Sequence, residues 1–182
     1  THVYQSGDMA VKVFSKDYPK TEVLYEALVH ARVEETGLSV PKIIEVGKSP
    51  DGEWSISMER IEGKTMAQLM EECPEKWPQY IGQMVDIQID IHTKKAPLLL
   101  KLKDRLTSRI QALACIDDTR KYELLTRLDS CPKHTQLCHG NFHPSNILLR
   151  GEQAFILDWK DASQGNASAD IARTYLLLSL QN

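Results

Sequence analysis

Apolar and polar positions alternate at the start of the chain. Residues 2–14 read as two short strands joined by the Ser6-Gly7-Asp8 turn. In the second, Ala10-Val11-Lys12-Val13-Phe14, a period of two puts Val11 and Val13 on one face and Lys12 on the other with Ala10 and Phe14. From about Lys20 the period lengthens. Val23, Leu24, Ala27 and Leu28 recur at helical spacing, with Gly37 marking the exit. Alternation returns over 40–47, a strand expected to begin at Val40-Pro41, and over 54–59 after the Asp51-Gly52 turn.

Beyond Thr65 the pattern becomes helical. Tyr80, Met84, Ile87 and Ile91 predict a helix over 76–92 with one buried face. Leu102, Leu106, Ile110 and Leu113 repeat the pattern, and Leu124, Leu125 and Leu128 predict a shorter helix past Asp117-Asp118. Two brief apolar segments, 147–149 and 154–157, flank Arg150-Gly151-Glu152-Gln153 and read as a hairpin. A last helix is expected over 169–180. The result is an α+β chain: a small mixed lobe over 1–60, a connector near 59–63, and a mainly helical lobe over 64–182. The cleft between two lobes is the natural ligand site.

Composition narrows the partners. A hydrophobic fraction of 42% supplies a sizeable core and argues against global disorder. The net charge of −3, with Lys and Arg dispersed, speaks against nucleic acid as a partner. Cys73, Cys115, Cys131 and Cys138 show no close pairing, so reduced thiols in a cytoplasmic protein are the plain reading. The longest apolar runs are too short to span a bilayer, and no membrane partner is expected. Both ends lack a polar fringe, which reads as a fold shortened at each terminus.

Candidate chemistry concentrates in 139–158. His139-Gly140-Asn141-Phe142-His143-Pro144-Ser145-Asn146 carries no regular apolar period, and Gly140 with Pro144 implies an ordered loop of fixed path. The hairpin after Asn146 can fold back to bring Asp158 to the same point in space. An amide oxygen and a carboxylate are hard ligands suited to Mg²⁺ bridging nucleotide phosphates. Zinc on His139 and His143 is disfavoured, since Gly140 and Pro144 oppose a helix there and a third strong ligand is not evident.

Taken in order, these strings resemble the aminoglycoside phosphotransferase family, whose fold is protein-kinase-like. The family loop H-G-D-x-x-x-x-N is matched by HGNFHPSN at 139–146, and its metal-binding aspartate by Asp158 in FILDW. The likeness extends to AVKVF, to MERIEGKT at 58–65, and to DASQGNASADIART at 161–174.

The resemblance implies a role for each position. Lys12 looks like the lysine on the nucleotide's inner phosphates, with a solvated strand lysine as the plain alternative. Glu26 is preferred to Glu22 as its ion-pair partner. Met58, Glu59, Arg60 and Ile61 resemble the hinge that reads the adenine edge. Asn146 and Asp158 look like the two Mg²⁺ ligands. His139 looks structural, fixing the loop, and a satisfied core histidine describes it equally well.

Asp170 and Arg173, three apart on the last helix, are expected to pair and to support the loop from behind. Asp161 reads either as the acceptor end of the cleft or as a solvated turn residue. Trp159 is expected to pack locally and steady Asp158.

One position departs from the family. Asn141 stands where the loop aspartate would accept the proton of the acceptor hydroxyl, and an amide cannot take that proton. The leading expectation is transfer of the γ-phosphoryl group of ATP or GTP to a hydroxyl of a small molecule, with slowed chemistry. The alternative is a catalytically impaired, pseudokinase-like nucleotide-binding or regulatory protein. A purely structural helical domain explains neither the loop nor Asp158.

Overall fold

The computed structural model describes residues 1–180. Its first layer is a four-stranded antiparallel sheet in the order β1-β2-β4-β3, from β1 (His2–Ser6), β2 (Met9–Val13), β3 (Ile43–Lys48) and β4 (Trp54–Glu59). Helix α1 (Lys20–Glu34) crosses between β2 and β3 and packs on the sheet through Val23 and Ala27, beside Phe14 and Ile56.

Two expectations shift here. Leu24 and Leu28 are 45% and 47% exposed, and the face that packs is Val23, Glu26, Ala27, Val29, His30 and Val33. The pairs 23/27 and 24/28 fit a helical period equally well, and two polar members of the true face disguised it. The strand expected from Val40 begins at Ile43. Pro41 has no amide to donate to a ladder, and its carbonyl instead lies 2.6 Å from His30 Nε2.

The larger lobe holds α2 (Met66–Glu72), α3 (Trp77–Thr93), α4 (Leu102–Ala112), α5 (Asp118–Ser130) and α6 (Ala167–Ser179). Strands β7 (Ile147–Arg150) and β8 (Gln153–Ile156) form the expected hairpin. The strand β5 (Lys64–Thr65) adds to its edge through β7. A second small ribbon pairs β6 (Gln136–Cys138) with β9 (Ser163–Gly165) and carries the chain into and out of the candidate site. With 13 residues α5 is longer than α4 with 11, the reverse of the expected lengths, because it runs on to Ser130 beyond its last periodic leucine.

The apolar pattern missed α2, β5, β6 and β9, all short. Yet α2 opens on a capping box: Gln68 N–H donates to Thr65 Oγ1 at 3.2 Å while Thr65 N–H donates to Gln68 Oε1 at 2.9 Å. T-x-x-Q is a readable start signal.

One core crosses the lobes. Val29 and Val33 of α1, with Leu38 and Val40 after it, pack in the same cluster as Met66, Met84, Ile91, Leu137, Phe142, Ile147, Ile156 and Trp159. Ile156 N–H also donates to Ser39 O at 3.0 Å. Helix α1 is therefore held by both lobes, one flank against the sheet and the other against the turn at Trp159–Asp161 that follows the β7–β8 hairpin.

Candidate active site

The loop between β6 and β7 is built around a buried imidazole. His139 is fully buried, with Nε2 donating to Leu157 O at 2.9 Å and Nδ1 accepting from Asn141 N–H at 3.1 Å. Both ring nitrogens are engaged by backbone, which requires the neutral ring, and burial pushes its pKa below the ordinary histidine value. The ring lies 4.4 Å from that of Trp159, whose Nε1 donates to Ile156 O at 3.0 Å. His139 thus joins the loop to the end of the hairpin, and Trp159, the residue after Asp158, is buried against the His139 ring.

Gly140 adopts φ 78°, and a Cβ there would lie 2.5 Å from Asp161 O. Only glycine fits this crossing. Its N–H donates to Asp170 Oδ1 at 2.8 Å, His139 N–H donates to Asp170 Oδ2 at 3.1 Å, and Arg173 Nε donates to Gly140 O. Asp170 and Arg173 therefore do not pair with each other as expected. Each grips the loop backbone, because donors and acceptors in the buried turn need partners.

Asp170 has a further partner, His92 Nε2 at 2.9 Å, 78 residues earlier on α3. Burial alone would raise the carboxyl's pKa, but the bonds from His92, Gly140 and His139 hold it below the ordinary carboxylate value.

Three polar side chains meet beyond the loop. Asp158 adopts a left-handed backbone, φ 59°, the sole non-glycine residue to do so among those described. Its Oδ2 accepts from Asn141 Nδ2 at 3.0 Å, while its Oδ1 is buried without a hydrogen-bond donor, 3.5 Å from Lys12 Nζ. Lys12 reaches across from β2 and forms its closest ion pair with Glu26. Glu22 lies one turn away and takes no part. Burial would lower the pKa of Lys12, but Glu26, with Asp158 adding, outweighs that and holds it above its usual value.

Asn146 turns its amide nitrogen toward the loop, donating to Asn141 O at 2.9 Å and lying 3.0 Å from His143 Nε2. That leaves its amide oxygen free of the loop. Met58, Glu59, Arg60 and Ile61 lie where the sheet runs out into the connector. Glu59 N–H already donates to Lys42 O at 2.8 Å and Arg60 N–H to Asp8 O at 3.1 Å. Of the three residues from Glu59 to Ile61, Ile61 alone keeps an amide outside these backbone bonds among the described residues.

Asp161 is not a freely solvated turn residue, one of its two readings. Its carboxylate takes Arg105 at 3.3 Å and Arg109 at 2.9 Å, at the edge of a cavity of about 400 Å³ between α1 and α4. Sequence reasoning missed Arg105 and His92, since no local pattern marks a residue whose partners lie on other elements.

This arrangement places a cation from one lobe against a carboxylate of the other, which an amide of the loop also holds, over a turn whose backbone is gripped at His139, Gly140 and Asn141. A family model described as "phosphotransferase enzyme family" matches residues 2–180. The chain belongs to that family. Phosphotransfer is accordingly its reaction class.

Among solved structures it is similar to a thermostable mutant of aminoglycoside phosphotransferase APH(4)-Ia in the apo form, with TM-score 0.68 and 15% identity over 99% of this chain and 74% of that one. The aminoglycoside-3'-phosphotransferase of type VIII follows at TM-score 0.67 and 19% identity, over 96% and 70%. A ternary complex of an APH(4)-Ia mutant with ADP and hygromycin B matches at TM-score 0.62 and 15% identity, over 94% and 70%. The chain spans roughly two-thirds to three-quarters of these structures, which share its bilobal kinase-like fold. No curated protein matches it. Among the described residues, no helix is long and apolar enough to cross a membrane.

Proposed function

We propose that this member of the phosphotransferase enzyme family transfers the γ-phosphoryl group of ATP or GTP to a hydroxyl of a small molecule, with Mg²⁺ held by Asp158 and Asn146. The observation that carries this reading is the buried Asp158 Oδ1, without a hydrogen-bond donor and facing Lys12 across the cleft. Lys12 Nζ at 3.5 Å gives that buried oxygen an opposite charge but no hydrogen bond, so its lone pairs are left for a metal ion. Asp158 Oδ1 and the Asn146 amide oxygen are hard donors, as Mg²⁺ prefers.

Bound there, the ion would neutralise phosphate charge. Lys12, kept protonated by Glu26, adds a second positive charge on the donor's inner phosphates. Ile61 offers the base edge a free backbone amide. Asn141, its amide nitrogen turned to Asp158, has its amide oxygen left to orient an acceptor hydroxyl. It takes no proton, so the hydroxyl keeps its hydrogen until late in a loose transition state. General-base help is typically worth about 10²–10⁴ in rate, and transfer is slowed on that order.

Nucleotide affinity measured with and without Mg²⁺ tests the binding half, and equal affinities would refute it. Transfer from labelled ATP and GTP to a panel of hydroxylated acceptors, for this chain and Asn141→Asp, tests the chemistry. The Asn141–Asp158 bond also favours a second reading, an impaired nucleotide-binding protein. Tight Mg²⁺-dependent binding with no transfer from either form selects it.

A further inference from the structure

Arg105 lies on α4, outside every motif discussed above, yet its side chain is only 10% exposed. One guanidinium nitrogen donates to Asp161 O, and the other donates to Ala162 O at 3.2 Å and reaches Tyr25 Oη at 3.5 Å. The two carbonyls belong to residues three and four beyond Asp158. A planar fork with fixed charge suits two neighbouring carbonyls, and lysine has no equivalent geometry.

The same Asp161 carbonyl is the atom against which Gly140 packs, so Arg105 holds the point where the Asp158 turn crosses the loop bearing Asn141. Its platform is firm. At the start of α4, Leu102 presses on Gly165 so closely that a Cβ there would lie 2.6 Å from Leu102 Cβ. On the far side Tyr25 sits on α1, one residue before Glu26, the partner of Lys12. Asp158 itself holds a left-handed backbone that a non-glycine residue keeps only when its surroundings impose it.

We infer that Arg105 is a positioning residue: from α4 it clamps the carbonyls of Asp161 and Ala162, fixing the Asp158 turn for metal binding and coupling it to α1. The inference rests on the metal role proposed for Asp158, and the clamp itself has a readout that does not. Arg109 serves as the contrast, since it is 51% exposed and among the described residues its guanidinium pairs with the Asp161 carboxylate and with neither carbonyl.

The test compares Arg105→Gln, Arg105→Lys and Arg109→Ala by Mg²⁺-dependent nucleotide affinity and by amide hydrogen exchange at residues 140 and 159–163. Loss of a group that orients a metal ligand typically costs about 10-fold or more in metal affinity. The expected result is a Mg²⁺-dependent gain in affinity reduced about 10-fold in Arg105→Gln, with metal-free affinity within about twofold of the parent. Exchange should accelerate at Ala162, whose N–H bonds to Trp159 O at 2.8 Å, and at Gly140.

Arg105→Lys should fall between, and Arg109→Ala should match the parent. An undiminished Mg²⁺ gain with unchanged exchange in Arg105→Gln overturns the clamp, as does equal weakening with and without metal. If Arg105→Gln does not fold, Arg105→Lys carries the same comparison. If the parent shows no Mg²⁺-dependent gain, the functional reading fails, and exchange alone decides the clamp.

Discussion

At the scale of single residues, the site is balanced by charges that are each half of a pair. Asn141 Nδ2 donates to Asp158 Oδ2, so Asn141→Asp replaces a donor with a second carboxylate about 3 Å away. The substitution should cost about 2 kcal/mol without metal, the worth of a hydrogen bond to a charged group. For a chain of this size that lowers the melting temperature by roughly 5 °C. Mg²⁺ with nucleotide should return most of it, and thermal melts in chelator and in Mg²⁺ check this.

Lys12→Met leaves the mostly buried Glu26 unpaired, costing about 3–5 kcal/mol, and weakens nucleotide binding. The double variant Lys12→Met with Glu26→Gln should recover most of the stability but not the affinity. Recovery of both would show that Lys12 only balances Glu26. The order of Lys12, Asn146 and Asp158 was readable because each sits beside a marker: an alternating strand, a Gly/Pro loop, a short hairpin. His92 and Arg105 were not, because their partners lie 78 and 56 residues away.

Among the elements, α3 follows from period, and the hairpin and the first four strands from period with turn residues, apart from the start of β3, whereas β6 and β9 are three-residue segments held by pairing with each other and with the 94–101 segment. Such strands have no pattern of their own to read. The turn between β6 and β7 offers a direct measurement. Gly140 and Gly151 both have positive φ, 78° and 61°, but a Cβ at Gly151 meets nothing within 4 Å while one at Gly140 strikes Asp161 O.

Gly151→Ala should therefore cost only the left-handed backbone penalty, about 1–2 kcal/mol. Gly140→Ala adds a backbone collision and should cost about 3 kcal/mol or more, with loss of Mg²⁺-dependent nucleotide binding. Denaturant melts of both variants check the difference. Equal costs would mean that the crossing of the two loops is looser than described.

For the whole molecule, three buried titratable groups set the response to acid. His30, on α1, is lowered by burial, which outweighs its bond to Pro41 O and the attraction of Glu34. His139 is lowered by burial in the other lobe. A histidine whose folded pKa lies below its unfolded value of about 6.5 binds fewer protons when folded. Stability should therefore be constant above that pH and fall as pH drops below it, until the folded pKa is reached.

Asp170 adds a second loss. Its stabilisation is complete above the unfolded carboxyl value of about 3.9 and disappears as pH falls through the depressed folded pKa. Denaturant unfolding at pH 7.5, 6.0 and 5.0 should show a declining midpoint. His30→Gln, which can still donate to Pro41 O, should flatten that decline, and an unchanged slope would remove His30 as a source.

The sequence by itself determined which groups are present and in what order: a lysine on a strand, a glycine-bearing loop closed by asparagine, an aspartate after a hairpin, and an amide where the family has a carboxylate. The first three are properties of local period and spacing, the last is what the family resemblance implies, and all survive without knowledge of any contact. Only the tertiary structure decided that Glu26 and not Glu22 meets Lys12, that Asp170 and Arg173 each hold the loop backbone, and that α1 is packed by both lobes. The first is a choice between residues equivalent in chemistry and one turn apart, and the others depend on segments distant in the chain. All are settled by burial, which makes every enclosed donor and charge find a partner wherever in the chain that partner lies.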